Sequence, residues 1–164
     1  MEVTMLVDES TILINVHAKH KEEVLQLMSD NLVAHGFVNK SFTGAVIARE
    51  HEFPTGLPMD GMAVAIPHTD IEHVRKKTIS IAQLNEPVEF GVMGGTASER
   101  VAVKLVFMLA MEEAHSQLTI LQQLMKLFQT KDAMAQLAHA TSKQEIKTVV
   151  LNHLGTETKG GKYI

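Results

Sequence analysis

Residues Val101 to Ala110 form the most apolar run of the chain, interrupted only by Lys104. A run this short falls far below the roughly 20 residues that a membrane-spanning helix needs. It reads instead as a central β-strand, apolar on both faces. Such a strand requires a covering layer on each side, and the flanking sequence supplies one. Ile12, Ile14 and Val16 alternate with Leu13 and Asn15 as a short strand does. Met62 to Ile66 is another, stopped by Pro67, and Thr78 to Leu84 another, with a brief Val88-Glu89-Phe90 segment after it. Between and around them lie helical patterns. One runs over about 19–35, with Val24, Leu25, Met28 and Leu32 inward and Gly36 as its stop. A second runs over 41–51, capped by Ser41 or Asn39, with Phe42, Ala45, Val46 and Ala48 inward and Arg49, Glu50 and His51 outward. Further helices are predicted over 116–129 (Leu118, Leu121, Leu124, Met125 and Phe128 inward), over 131–139, and from the Ser142/Glu145 capping box to Gly155. Phe53 to Pro58, with two prolines and a glycine, reads as loop. Strands alternating with helices predict an α/β fold: a single domain, residues 1–155, with a mixed β-sheet of about five strands covered by helices on both faces. Residues 156–164 read as a flexible C-terminal tail.

A length of 164 residues suits one core, and 45% hydrophobic with 21% charged residues is the balance of a globular protein. A formal charge of −4 gives no electrostatic footprint for nucleic acid. The absence of cysteine excludes disulfides, thiol catalysis and thiolate metal sites. No basic n-region with an apolar stretch opens the chain, so the expectation is a cytoplasmic protein. Nine histidines are unusual in this setting.

Pro67 ends strand pairing, because it lacks an N–H, and it fixes the exit of the chain toward His68. Strand ends are where α/β proteins commonly place their chemistry. His51, His68 and His115 all stand at exits of regular elements, and parallel pairing of the strands that end at Ile66 and Ala110 would bring His68 and His115 to one edge. Three chemistries compete for these residues. A zinc site from His68, His115 and a carboxylate lacks any close ligand pair on one helix. A serine-type or acid–base hydrolase lacks a G-x-S-x-G elbow. A phosphoryl-accepting histidine needs only a neutral imidazole, with an ordinary pKa of about 6.5, and cationic or N–H donors for the phosphoryl oxygens. Arg49, His115 and the backbone of Pro54–Gly56 are the candidate donors. With no glycine-rich nucleotide motif, the phosphoryl group would arrive on another protein.

The residues Ile47-Ala48-Arg49-Glu50, Phe53-Pro54-Thr55-Gly56 and Ala63-Val64-Ala65-Ile66-Pro67-His68, in this order and spacing, resemble the IIA components of the bacterial sugar phosphotransferase system, fructose–mannitol type. The resemblance covers about Ile12 to Leu154. The run Ala48 to Gly56 is most similar to galactitol-type IIA proteins. The resemblance implies that His68 is the phospho-acceptor, taking a phosphoryl group from the phosphocarrier protein HPr and passing it to a IIB component, with a membrane IIC downstream. Arg49 matches a family arginine beside the phosphoryl group, and Thr55 falls in the phosphoryl-side loop. His115 aligns with a second histidine of mannitol- and fructose-type members that galactitol-type members often lack, so the sugar stays open between these types. No metal, nucleotide or other cofactor is implied. A regulatory phosphoprotein of the same fold, signalling by protein binding, would share every one of these residues. Met59, Met62 or Leu57 is expected on an apolar rim for the partners.

Overall fold

The protein is described by a computed structural model covering residues 7–111 and 114–160, with backbone alone at 114–118 and 155–160. Five strands and five α-helices follow in the order β1 (Ile12–Val16), α1 (Lys21–Ala34), α2 (Ser41–Glu52), β2 (Gly56–Met59), β3 (Met62–Ala65), β4 (Thr78–Gly91), β5 (Arg100–Ala110), α3 (Ala114–Phe128), α4 (Lys131–His139) and α5 (Lys143–Gly160). The strands make one mixed sheet in the order β1-β4-β5-β3-β2. β1 runs parallel to β4, β4 antiparallel to β5, β5 parallel to β3, and β3 antiparallel to β2. The apolar run around Lys104 is thus a central strand, as its composition predicts.

Each face of the sheet carries its own core. Ile79 and Ile81 of β4 with Leu105, Phe107 and Leu109 of β5 meet α3, α4 and α5. Ala82 and Leu84 of β4 with Val106, Met108 and Ala110 of β5 meet α1 and α2. α1 buries Val24, Leu25, Met28 and Leu32 on the predicted stripe, and Gly36 follows it with φ +79°, a left-handed turn that glycine adopts without strain. Among the described side chains of α3 the buried apolar positions are Ile120, Leu124, Leu127 and Phe128. Leu121 and Met125 flank them, partly buried, and the side chain of Leu118 lies outside the described residues.

Lys104 has a specific place in β5. Ala63 pairs with Val103 and Val64 with Leu105, so Lys104 is an extra residue on β5, a bulge. Opposite it, β4 shifts register between Gln83 and Val88, and Lys104 Nζ donates to the carbonyl of Asn85 at 3.1 Å. Because side chains alternate with a period of two, the bulge reverses their assignment: Val103 faces the α1/α2 core and Leu105 the opposite one.

Several boundaries depart from the sequence expectation. Gly56–Met59 is a strand, not loop; β2 lies at the sheet edge, where a proline such as Pro58 is tolerated. β4 continues through Asn85-Glu86-Pro87 to Gly91, because the wide register shift absorbs the turn-forming residues without ending the pairing. α5 passes Gly155 and extends to Gly160, and residues 161–164 lie outside the described residues. In α2, Ala48 is exposed, while Glu50 is 1% exposed. The inward stripe is Phe42, Val46 and Glu50, spaced by four. Among the described residues no helix is long and apolar enough to cross a membrane.

Candidate functional site

β3 ends at Ala65, and the chain leaves the sheet through Ile66 and Pro67, both still tethered. The N–H of Ile66 donates to Thr55 Oγ1 at 3.1 Å, and the Pro67 carbonyl accepts from the N–H of Leu109 on β5 at 2.9 Å. His68 forms a parallel bridge with Leu109. The β3–β5 pairing is parallel, which is the arrangement needed to bring the exits of both strands to one edge. The His68 ring is half-buried, with Nδ1 2.9 Å from the Ile66 carbonyl oxygen. A carbonyl can only accept, so Nδ1 carries the proton. In the neutral ring the lone pair is then on Nε2. Burial pushes the His68 pKa down from its ordinary value. The hydrogen bond to Ile66 raises it, and the charge of Arg49 lowers it further.

His68 lines an open cleft of about 430 Å³ together with Arg49, Phe53, Pro54, Thr55 and the Val92–Gly95 turn. Arg49 stands in the last turn of α2, where a cation also complements the helix dipole. Its guanidinium carbon lies 5.2 Å from the centroid of the Phe53 ring. Its Nε is buried and has no hydrogen-bond partner among the described residues. A buried N–H without a partner is costly, and an incoming anion oxygen would satisfy it.

Thr55 is at the cleft but its polar groups are committed. Its N–H and its hydroxyl both donate to the Glu50 carboxylate, each at 2.8 Å, and the same hydroxyl oxygen accepts from Ile66. Pro54 has no N–H to offer and that of Thr55 is already spent, so these two residues contribute no free backbone donor to a phosphoryl group. The loop is fixed from behind by close packing: a Cβ on Gly91 would stand 2.8 Å from Pro54 Cβ. The Gly56 carbonyl accepts from the N–H of Met93 at 2.8 Å, which ties the turn after β4 to the same loop.

His68, Arg49 and Thr55 therefore converge on one cleft. His115, in the first turn of α3 beyond the end of β5, has its side chain outside the described residues. Among the described residues no group of three His, Asp or Glu side chains could hold a metal ion, and the zinc reading depends on His115. Leu57, Met59 and Met62 do not line the cleft; they pack, partly buried, against the α3–α5 core. The apolar residues exposed at its rim are Phe53 and Met93, at 55% and 41%. Glu50, expected to face outward, is buried, and its place four residues after Val46 on the α2 stripe is the pattern that reveals it.

Fold and site together define an α/β protein with an imidazole at a strand end, held through Nδ1 and lining a cleft shared with a guanidinium. Comparisons with known proteins give that class its family. The galactitol-specific EIIA component of the Escherichia coli phosphotransferase system (strain K12) is 33% identical over 117 residues, 71% of this chain and 77% of that protein. The mannitol IIA of E. coli, solved in complex with phosphorylated mannitol IIB, has a TM-score of 0.73 and 25% identity, covering 90% of this chain and 99% of that one. The PTS IIA (PtxA) structure from Streptococcus mutans shares the fold with a TM-score of 0.76 at 23% identity, covering 99% and 98%. The chain belongs to the family described as phosphoenolpyruvate-dependent sugar phosphotransferase system, EIIA 2, whose profile matches residues 5–153. It is by that membership a phosphotransferase of the sugar phosphotransferase system.

Proposed function

We propose that the protein is a phosphoryl carrier in which His68 Nε2 accepts a phosphoryl group from the phosphocarrier HPr and passes it to a IIB component, in the cytoplasm, for uptake of a sugar or sugar alcohol. The observation that carries this reading is the pinned ring: the Ile66 carbonyl holds Nδ1–H, which leaves the lone pair on Nε2, and the ring lines the cleft that Arg49 shares. In the first step the Nε2 lone pair attacks phosphorus as the bond to the donor's imidazole breaks. The His68 ring, still protonated on Nδ1, then carries positive charge, and the Ile66 carbonyl takes a stronger, charge-assisted hydrogen bond. In the second step the acceptor's nucleophile attacks, the N–P bond breaks, and the ring returns to neutral. Arg49 offers N–H donors to the phosphoryl oxygens, where charge spreads in the transition state. His115, at the start of α3, is the second candidate cation. Similarity to the galactitol component supports galactitol-type substrates downstream, and the His115 match supports fructose or mannitol types.

The test is to incubate the protein with enzyme I, HPr and phosphoenolpyruvate and to map the labelled residue. Label on His68 that reaches a IIB component is expected. His68→Ala, folded by circular dichroism, should take no label. Full labelling of that variant would overturn the assignment.

A further inference from the structure

The buried carboxylate of Glu50 touches neither the cleft nor any cation in the described structure, yet it anchors the segment that holds the reacting ring. We infer that Glu50 is a positioning residue for the His68 imidazole, acting through Thr55 and the main chain of Ile66; this rests on the phosphoryl-transfer reading of His68.

Glu50 is buried in the last turn of α2, where two effects oppose a carboxylate. The helix C-terminus disfavours negative charge, and burial pushes its pKa above the usual carboxylate value. Two hydrogen bonds from Thr55 oppose that shift. The direction of these bonds is fixed by the donors. The Thr55 N–H can only donate, so it takes one carboxylate oxygen as acceptor. The Thr55 hydroxyl oxygen already receives the Ile66 N–H, so its own proton goes to the other carboxylate oxygen. A carboxylate, acceptor at both oxygens, satisfies this set completely.

The chain of contacts then reaches the ring: Glu50 orients the Thr55 hydroxyl, that hydroxyl holds the N–H of Ile66, and the carbonyl of Ile66 holds His68 Nδ1–H. The Ile66 N–H and C=O belong to successive peptide units that meet at Cα, so the coupling is positional and does not pass as polarisation along one peptide. Ile66 lies past the last ladder residue of β3, so Thr55 does for it what a neighbouring strand would do. Letting that residue rotate would move the carbonyl that selects the ring tautomer and so share the proton between Nδ1 and Nε2. Protonated Nε2 has no lone pair for phosphorus.

The amide of Glu50→Gln offers one acceptor to the two Thr55 donors, and Thr55→Val removes the hydroxyl at nearly constant shape, whereas Thr55→Ser keeps it. Imidazole nitrogen chemical shifts, read on the intact ¹⁵N-labelled chain, report the tautomer directly and without any partner protein. We expect wild type and Thr55→Ser to show Nδ1–H alone. Glu50→Gln and Thr55→Val should show mixed tautomers and ~10- to 100-fold slower labelling, by analogy with the loss seen when outer partners of metal-bound histidines are removed. Should Glu50→Gln fail to fold, Thr55→Val carries the same test. Wild-type nitrogen shifts in folded variants would overturn the inference, since a purely structural role leaves the tautomer alone. A tautomer that shifts as expected in a chain never labelled at His68 would uphold the positioning and refute phosphoryl transfer.

Discussion

Substituting Gly91→Ala probes how tightly the cleft wall is set. Gly91 closes β4, and a Cβ there would stand 2.8 and 2.9 Å from two ring carbons of Pro54. Carbon atoms rest at about 3.5–4.0 Å, so the backbone must separate by ~0.7–1 Å. The proline ring is stiff, since a change of pucker moves Cγ but leaves Cβ nearly in place, and it forms part of the cleft wall beside Arg49 and His68. Overpacking of this kind costs about 1–3 kcal/mol. The reduced freedom of the unfolded chain returns about 0.4–1 kcal/mol, since φ at Gly91 is not positive. The net expectation is a loss of about 1–2 kcal/mol in urea titration. Transfer should suffer more than stability, because a displacement near 1 Å at a reacting site can cost ~100-fold. The matched control is Gly44→Ala on the open face of α2, where an added Cβ meets nothing within 4 Å. Alanine there should raise stability by up to about 1 kcal/mol and leave labelling unchanged. Wild-type stability and labelling rate in Gly91→Ala would refute the claim that close packing behind Pro54 sets the cleft.

Three other outcomes follow from the site. Arg49→Gln should slow labelling ~100-fold through loss of a charged donor, and the His68 pKa, followed by NMR, should rise because the guanidinium that lowers it is gone. An unchanged pKa would place Arg49 away from the ring. In wild type the labelling rate should hold to more acidic pH than an ordinary imidazole allows, its acid limb lying below ~6.5, because burial favours the neutral ring; a limb above that value contradicts the half-buried geometry. The same shift has a stability counterpart. With the folded pKa depressed, the contribution of His68 is fully present above the unfolded value near ~6.5 and is lost as pH falls through the folded pKa. His68→Ala should therefore show a shallower loss of stability on acidification over that window, measured by urea midpoints.

The strand that stops at Pro67 is legible because a local rule, the missing N–H of proline, coincides with the end of an apolar run. α1 is legible for a similar reason: its stripe is unbroken and its glycine stop falls where the periodicity ends. Glu50 is obscured by its chemistry, since a carboxylate is assigned to solvent unless its donors are known, and they come from Thr55, across the helix terminus. β2 is hidden because Pro58 and Gly56 forbid a central strand but not an edge strand, and position within a sheet is a property of the whole topology. The continuation of β4 is hidden likewise, its register shift being matched to a bulge on a different strand. Arg49 and His68 stand out through their type and spacing. What a one-dimensional reading leaves out is which backbone group holds them.

The single lysine within the central strand also bears on how this chain can vary. Losing that one codon would set Val103 directly before Leu105, the spacing at which ordinary alternation faces them in opposite directions, so Leu105, Phe107 and Leu109 would keep their helices. Leu109 would likewise stay on the Pro67 carbonyl that it anchors. Loss of Leu105 instead would draw Lys104 into its place among the α3–α5 core residues, so deletions beside the lysine should be purged far more strictly than loss of the lysine itself.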